Sequence, residues 1–223
     1  MGAVKNPLWS VKNMPVSIPA QDVILNADWT IPPDAGGIIV FAHGRGSSRH
    51  SVRNRYIAEK LNESNFATLL ADLLTVEEEE IDEQTRQWRF DIPMLARRLS
   101  DITAWLQRDL DLRDLKIGWF GASTGAGAAL IAAARNPGNV MAVVSRGGRP
   151  DLAGESLRDV KAPVLLIGGG NDHQVLELNR RALEKLNAQS KLEIVPGATH
   201  LFEEPGALEA AAQLAASWFE KHV

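Results

Sequence analysis

Gly121-Ala122-Ser123-Thr124-Gly125 stands between an apolar run, Leu115 to Phe120, and an alanine-rich run, Ala126 to Ala134. The first run predicts a buried strand and the second a helix, since the second is almost wholly built of helix-favouring residues. A serine at the corner between them matches the G-x-S-x-G pattern of a nucleophile held on a sharp strand-to-helix turn. So tight a turn forces an unfavourable backbone conformation on the serine, and side chains two residues away on either side would collide. Glycine at both flanks removes that collision and lets the helix approach the strand. A chance match to the pentapeptide is the competing reading, and the strand-to-helix context argues against it.

Outward from this turn the chain alternates strand and helix. Two short strands are expected around Val11–Ile18 and Val23–Trp29, closed off by Ile31-Pro32-Pro33-Asp34. Ile38 to Ala42 is continuously apolar, as suits a strand covered on both faces. A helix over Arg53–Asn62, a strand at Phe66–Leu70, a polar acidic stretch to Gln87 and a helix over Phe90–Arg108 precede the turn. After it come strands at Val140–Val144, Val164–Ile167 and Lys191–Val195, with helices at Val175–Leu186 and Ala207–Lys221. This alternation predicts a doubly wound, mostly parallel α/β sheet flanked by helices, with functional residues gathered at the carboxyl ends of strands.

A length of 223 residues, without an internal repeat or low-complexity linker, predicts a single domain over 1–223. Hydrophobic residues make up 45% and charged residues 23%, a balance that predicts a globular rather than a disordered chain. The net charge of −4 gives no reason to expect nucleic acid as a partner. Without cysteine there can be no disulfide, thiolate nucleophile or cysteine-bound metal. Met1 to Asn13 lacks the apolar core of a signal peptide and no run approaches a membrane span, so a cytoplasmic setting without membrane association is expected.

A serine hydroxyl needs a base to take its proton, and the base needs an acid to orient it. Of five histidines, His222 is near the chain end, His50 lies in a polar loop, and His43 suits a loop-shaping role before Gly44. His173 adjoins Asp172 at a helix start, where capping explains it. His200 follows the last strand in Pro196-Gly197-Ala198-Thr199-His200 and is the expected base. Two acids compete. Asp172, after Gly168-Gly169-Gly170-Asn171, could be a plain helix cap, and Asp151 follows the preceding strand. The chain order Ser, Asp, His favours Asp172. An oxyanion hole is expected from the backbone N–H groups of Thr124 and of Arg45, which Gly44 and Gly46 allow to turn inward.

These residues resemble the α/β-hydrolase superfamily, and within it the dienelactone hydrolase family. The likeness rests on Phe41-Ala42-His43-Gly44, Gly121 to Gly125, Leu165-Leu166-Ile167-Gly168 leading to Asp172, and Thr199-His200. It implies an α/β-hydrolase fold and a hydrolase with Ser123 as nucleophile, His200 as base and Asp172 as acid. The best-known members use cysteine where this chain has Ser123, so ester hydrolysis is implied more firmly than a dienelactone substrate. Fewer than twenty residues separate Ser145 from Val164, leaving no room for a large cap domain there and predicting an open site with Thr75–Gln87 as its lid.

The expected activity is cleavage of a small ester or lactone through an acyl-enzyme, with no cofactor and no metal; the oligomeric state is not legible. A thioesterase or perhydrolase would use the same triad, and a non-catalytic binding module could keep the fold. Arginines cluster on two loops at the expected active edge, Arg45, Arg49, Arg53 and Arg55 on one and Arg146 and Arg149 on the other. Arg146 and Arg149 are candidate grips for an anionic substrate. The alternative is that these arginines pair with Glu77-Glu78-Glu79-Glu80, Asp82 and Glu83.

Overall fold

A computed structural model describes residues 11–44, 46–109 and 112–223. Its eight strands are β1 (Val11–Ala20), β2 (Val23–Ile31), β3 (Gly37–Ala42), β4 (Phe66–Ala71), β5 (Lys116–Ala122), β6 (Val140–Arg146), β7 (Val164–Gly169) and β8 (Ser190–Val195). They form one sheet in the order β1-β2-β4-β3-β5-β6-β7-β8. β1 and β2 are antiparallel to each other and β2 to β4, and every other pairing is parallel. The helices are α1 (Val52–Glu63), α2 (Val76–Thr85), α3 (Ile92–Arg108), α4 (Thr124–Arg135), α5 (His173–Lys185) and α6 (Ala207–His222). This is the doubly wound, mostly parallel α/β-hydrolase architecture expected from the sequence, with no large cap domain.

β3 and β7 are apolar at every position and buried throughout because both faces are covered. Ile38 and Val40 of β3 face one core with Trp119, Leu99 and Leu130, while Ile39 and Phe41 face the other with Phe120, Ile57 and Phe219. α3 and α4 thus cover one face and α1 and α6 the other. α4 is built from Gly, Ala, Leu and Ile and is buried nearly all round, as its lack of a polar face predicts. α3 starts where the Asp91 side chain accepts the Met94 N–H at 2.9 Å, with Pro93 in its first turn. Burying its Leu99, Ile102 and Leu106 contributes about 1.5–3 kcal/mol each.

The chain runs from β3 outward to β4 and then returns past β3 to β5. Adjacent β3 and β5 therefore send their following segments in opposite directions, and the carboxyl ends of such strands are where open α/β sheets bind ligands. Ala42 and Gly121 are register partners there. Two differences from the sequence expectation concern the connections. The acidic stretch after β4 contains a helix, α2, and a kinked 3-10 segment, Pro150–Asp159, fills the β6–β7 connection. α2 forms because Thr75 and Glu78 make a reciprocal capping box and Glu77, Glu78 and Glu79 sit favourably in its first turn.

Candidate active site

Ser123 sits between β5 and α4 at φ 51° and ψ −124°, a conformation that non-glycine residues rarely adopt. Its neighbours hold it there. The Ser123 N–H donates to the Arg146 carbonyl at 3.4 Å, and the Ser123 carbonyl accepts from Ala126 at 3.1 Å and Arg149 at 2.9 Å. The flanking glycines are required by contact: a Cβ on Gly121 would lie 2.5 Å from Ala126 Cα, and one on Gly125 2.2 Å from the Ala42 carbonyl oxygen.

His200 reaches this serine from the loop after β8. Its Nε2 lies 3.3 Å from Ser123 Oγ, and its Nδ1 lies 2.7 Å from Asp172 Oδ2. A carboxylate only accepts, so Nδ1 carries the proton in neutral His200 and Nε2 is left to accept from the serine hydroxyl. The 3.3 Å separation is long for a hydrogen bond, as such contacts commonly are without substrate. The two candidate acids separate cleanly. Asp172 occupies the N-cap position of α5 but its side chain makes no capping bond, and its carboxylate goes to His200. Asp151 gives both carboxylate oxygens to Arg149, at 2.8 and 2.7 Å.

On the β3 side of Ser123, Gly44 packs so close that a Cβ there would lie 2.8 Å from Ser123 Cβ. His43 ties this loop down: Nδ1–H donates to the Gly44 carbonyl at 2.9 Å and Nε2 accepts the Leu73 N–H at 3.0 Å. Burial pushes the His43 imidazole below its ordinary value, favouring the neutral ring that this pairing needs. Thr124 begins α4 and borders a hollow of about 420 Å³ that also meets Gly44, Gly46, Asp72, Glu79, Asp82 and Glu83. Arg45, the expected second oxyanion donor, lies outside the described residues.

A second hollow, of about 220 Å³, is lined by Ser123 and His200 themselves. Arg146 at the end of β6 lines it, 6% exposed, together with Arg53 and Asn54 from the first turn of α1. Arg146 Nη2 is 3.5 Å from Asn54 Oδ1, and among the described residues Nε and Nη1 have no hydrogen-bond partner. Burial, then the nearby Arg53 charge, lowers its pKa to about 10.

Across residues 25–222 the sequence matches the model of the dienelactone hydrolase family. The chain belongs to that family. It is similar to a dienelactone hydrolase from Anabaena variabilis, with 57% identity, a TM-score of 0.93 and coverage of 95% of this chain and 98% of that one. It is also 58% identical over 208 residues to a Mycobacterium tuberculosis protein named "Putative phosphoribosyl transferase". That match takes in 93% of this chain but 46% of the relative, so the chain spans about half the length of that relative. Est1E from Butyrivibrio proteoclasticus shares the fold at 16% identity, with a TM-score of 0.78 over 93% of this chain and 98% of that one. Family membership supports hydrolase chemistry.

Within this dienelactone hydrolase family member the structure brings Ser123, His200, Asp172 and Arg146 together. It directs Arg149 to Asp151, outside the residues that line the Arg146 hollow. Among the described residues, Arg49, Arg53 and Arg55 after β3 do not pair with the acidic run. Arg49 bonds Asp72, Arg55 bonds Asp28 at 3.1 Å and Arg53 bonds Glu203 at 2.9 Å. The acidic run has its own partners in Arg98, bonded to Glu78 at 2.6 and 2.7 Å, and Arg89, bonded to Asp82. The T-x-x-E of Thr75 and Glu78 was a legible signal for α2. Asn54 as a neighbour of Arg146, 92 residues away, had none. Among the described residues no group of three or more His, Asp or Glu is placed to hold a metal ion, and no helix is long and apolar enough to cross a membrane.

Proposed function

We propose that this protein is a serine hydrolase that cleaves small carboxylic esters or lactones through an acyl-enzyme on Ser123. The continuous contact chain from Ser123 Oγ through His200 to Asp172 carries the reading. Ser123 Oγ attacks the carbonyl carbon while His200 Nε2 takes its proton, and Asp172 steadies the imidazolium. The oxyanion of the tetrahedral adduct is met by the backbone N–H of Thr124, with Arg45 supplying the other donor. Collapse breaks the C–O bond, and His200 returns its proton to the departing alkoxide. Water, deprotonated by His200, then releases the acid and restores the serine.

The test is labelling by a fluorophosphonate probe together with a burst of p-nitrophenol from p-nitrophenyl acetate. Both are expected in the native protein and in neither Ser123→Ala nor His200→Ala. Equal labelling of Ser123→Ala would overturn the proposal. Thioesters and peroxide as acyl acceptor fit the same attack, and a panel of ester, lactone and thioester substrates ranks them by kcat/KM.

A further inference from the structure

Among the described residues Arg146 is the one buried guanidinium beside the nucleophile, and its surroundings are unusual for a cation. Among the described residues no carboxylate pairs with it; its contacts are a weak one to Asn54 Oδ1 and the face of Phe202, 5.6 Å from guanidinium carbon to ring centre. Nε and Nη1 are buried donors without acceptors. Leaving buried donors unmade costs stability unless a ligand completes them. Arg53 faces the same hollow and adds a second positive charge, offset by Glu203, whose side chain is 63% exposed. The first turn of α1 closes the hollow. Ser51 caps it by accepting the Asn54 N–H at 3.3 Å, and the turn's remaining N–H groups add partial positive charge. A carboxylate would balance one guanidinium. A phosphate monoester, near −2 with three acceptor oxygens, balances both and offers several acceptors to the guanidinium pair.

We infer that the hollow between β6 and α1 is a phosphate subsite of the Ser123 site, so that the substrates are esters carrying a phosphate monoester group that is held and not cleaved. The inference rests on the serine hydrolase reading for its chemistry but not for its binding. Arg146 meets the phosphate with its guanidinium, Arg53 holds its outer oxygen, and the helix end orients it beside the scissile carbonyl.

Calorimetric titration with inorganic phosphate, sulfate and acetate at constant ionic strength tests the subsite, alongside inhibition of p-nitrophenyl acetate hydrolysis. Phosphate should bind, compete with the ester and exceed acetate by about tenfold in affinity, two oppositely charged partners against one. Arg146→Met should weaken phosphate by about tenfold or more and Arg53→Ala severalfold, while Arg149→Ala leaves it unchanged. Arg53 is at the surface, so its variant decides the matter if Arg146→Met does not fold. Ser123→Ala should bind phosphate as the native protein does. Acetate binding as tightly as phosphate, phosphate affinity unaltered by both arginine variants, or phosphate lost in Ser123→Ala would each overturn the inference. With substrates, the p-nitrophenyl ester of 3-phosphonopropionate should exceed p-nitrophenyl butyrate in kcat/KM, and the reverse order counts against it. Arginine-dependent phosphate binding without esterase activity would sink the hydrolase reading alone; esterase activity without phosphate binding would sink the subsite alone.

Discussion

The two hollows that share Gly44 near Ser123 are opposite in charge and differ in how that charge is settled. The larger one, under α2, presents Asp72, Glu79, Asp82 and Glu83, and two of these carboxylates are already held, Asp72 by Arg49 and Asp82 by Arg89. The smaller one presents Arg53 and Arg146, and among the described residues no carboxylate pairs with the buried Arg146. A paired charge at a site edge is explained by the architecture it braces. A buried charge with no partner is a cost to the fold, and it directs attention to a ligand.

The largest expected effect tests whether both hollows belong to one site. Ser123→Ala should lower kcat for p-nitrophenyl acetate by roughly three or more orders of magnitude, and His200→Ala by nearly as much, because the pair acts as a unit. Asp172→Asn should cost about 10³–10⁴ in kcat, whereas Asp151→Asn should stay within about threefold of native. A larger loss from Asp151→Asn would transfer the acid role to it.

The next effect separates the settled charge from the unsettled one in stability. Arg98→Met leaves Glu78 without its two-pronged partner and should cost about 3 kcal/mol, lowering Tm by roughly 6–12 °C. Arg146→Met removes a cation that has no carboxylate partner among the described residues, and should leave Tm unchanged or raise it. Equal losses in thermal unfolding of the two variants would erase the contrast.

The smallest effect concerns Glu79 in the acidic hollow. Burial, then the like charges of Asp72 and Glu83, raises its carboxyl above the ordinary 4.5. The folded state therefore holds the proton more tightly than the unfolded one, and stability falls as pH rises from 4.5 through the raised value. Glu79→Gln removes that loss. Its Tm advantage over the native protein should be greater at about pH 7.5 than at about pH 4, by a few degrees at most.

Most of the fold was legible because its signals are local. Continuous apolarity marked β3, a largely apolar run marked β5, and the run of small residues marked α4. The acidic segment after β4 was harder to read, since its charge suggested a solvated stretch. Its helix is announced by capping chemistry at Thr75 and Glu78 and not by an apolar face. The arginine partners could not be read from charge and proximity in sequence. Salt bridges follow from which strand ends lie side by side: Asp28 on β2 reaches Arg49 and Arg55 because β2 pairs with β4.

The sequence by itself determined the sharp turn at Ser123, since only glycine fits against Ala126 and Ala42 where Gly121 and Gly125 stand. It also determined the order of strands and helices along the chain and the choice of Ser123, Asp172 and His200 as candidates. Only the tertiary structure decided that Asp172 turns from its helix to His200, while Asp151 is occupied by Arg149. It alone set Arg146 apart from Arg149, three residues on along the same loop. The reason is physical: burial and partnership depend on what other segments bring to a side chain, and those segments lie tens of residues away in sequence.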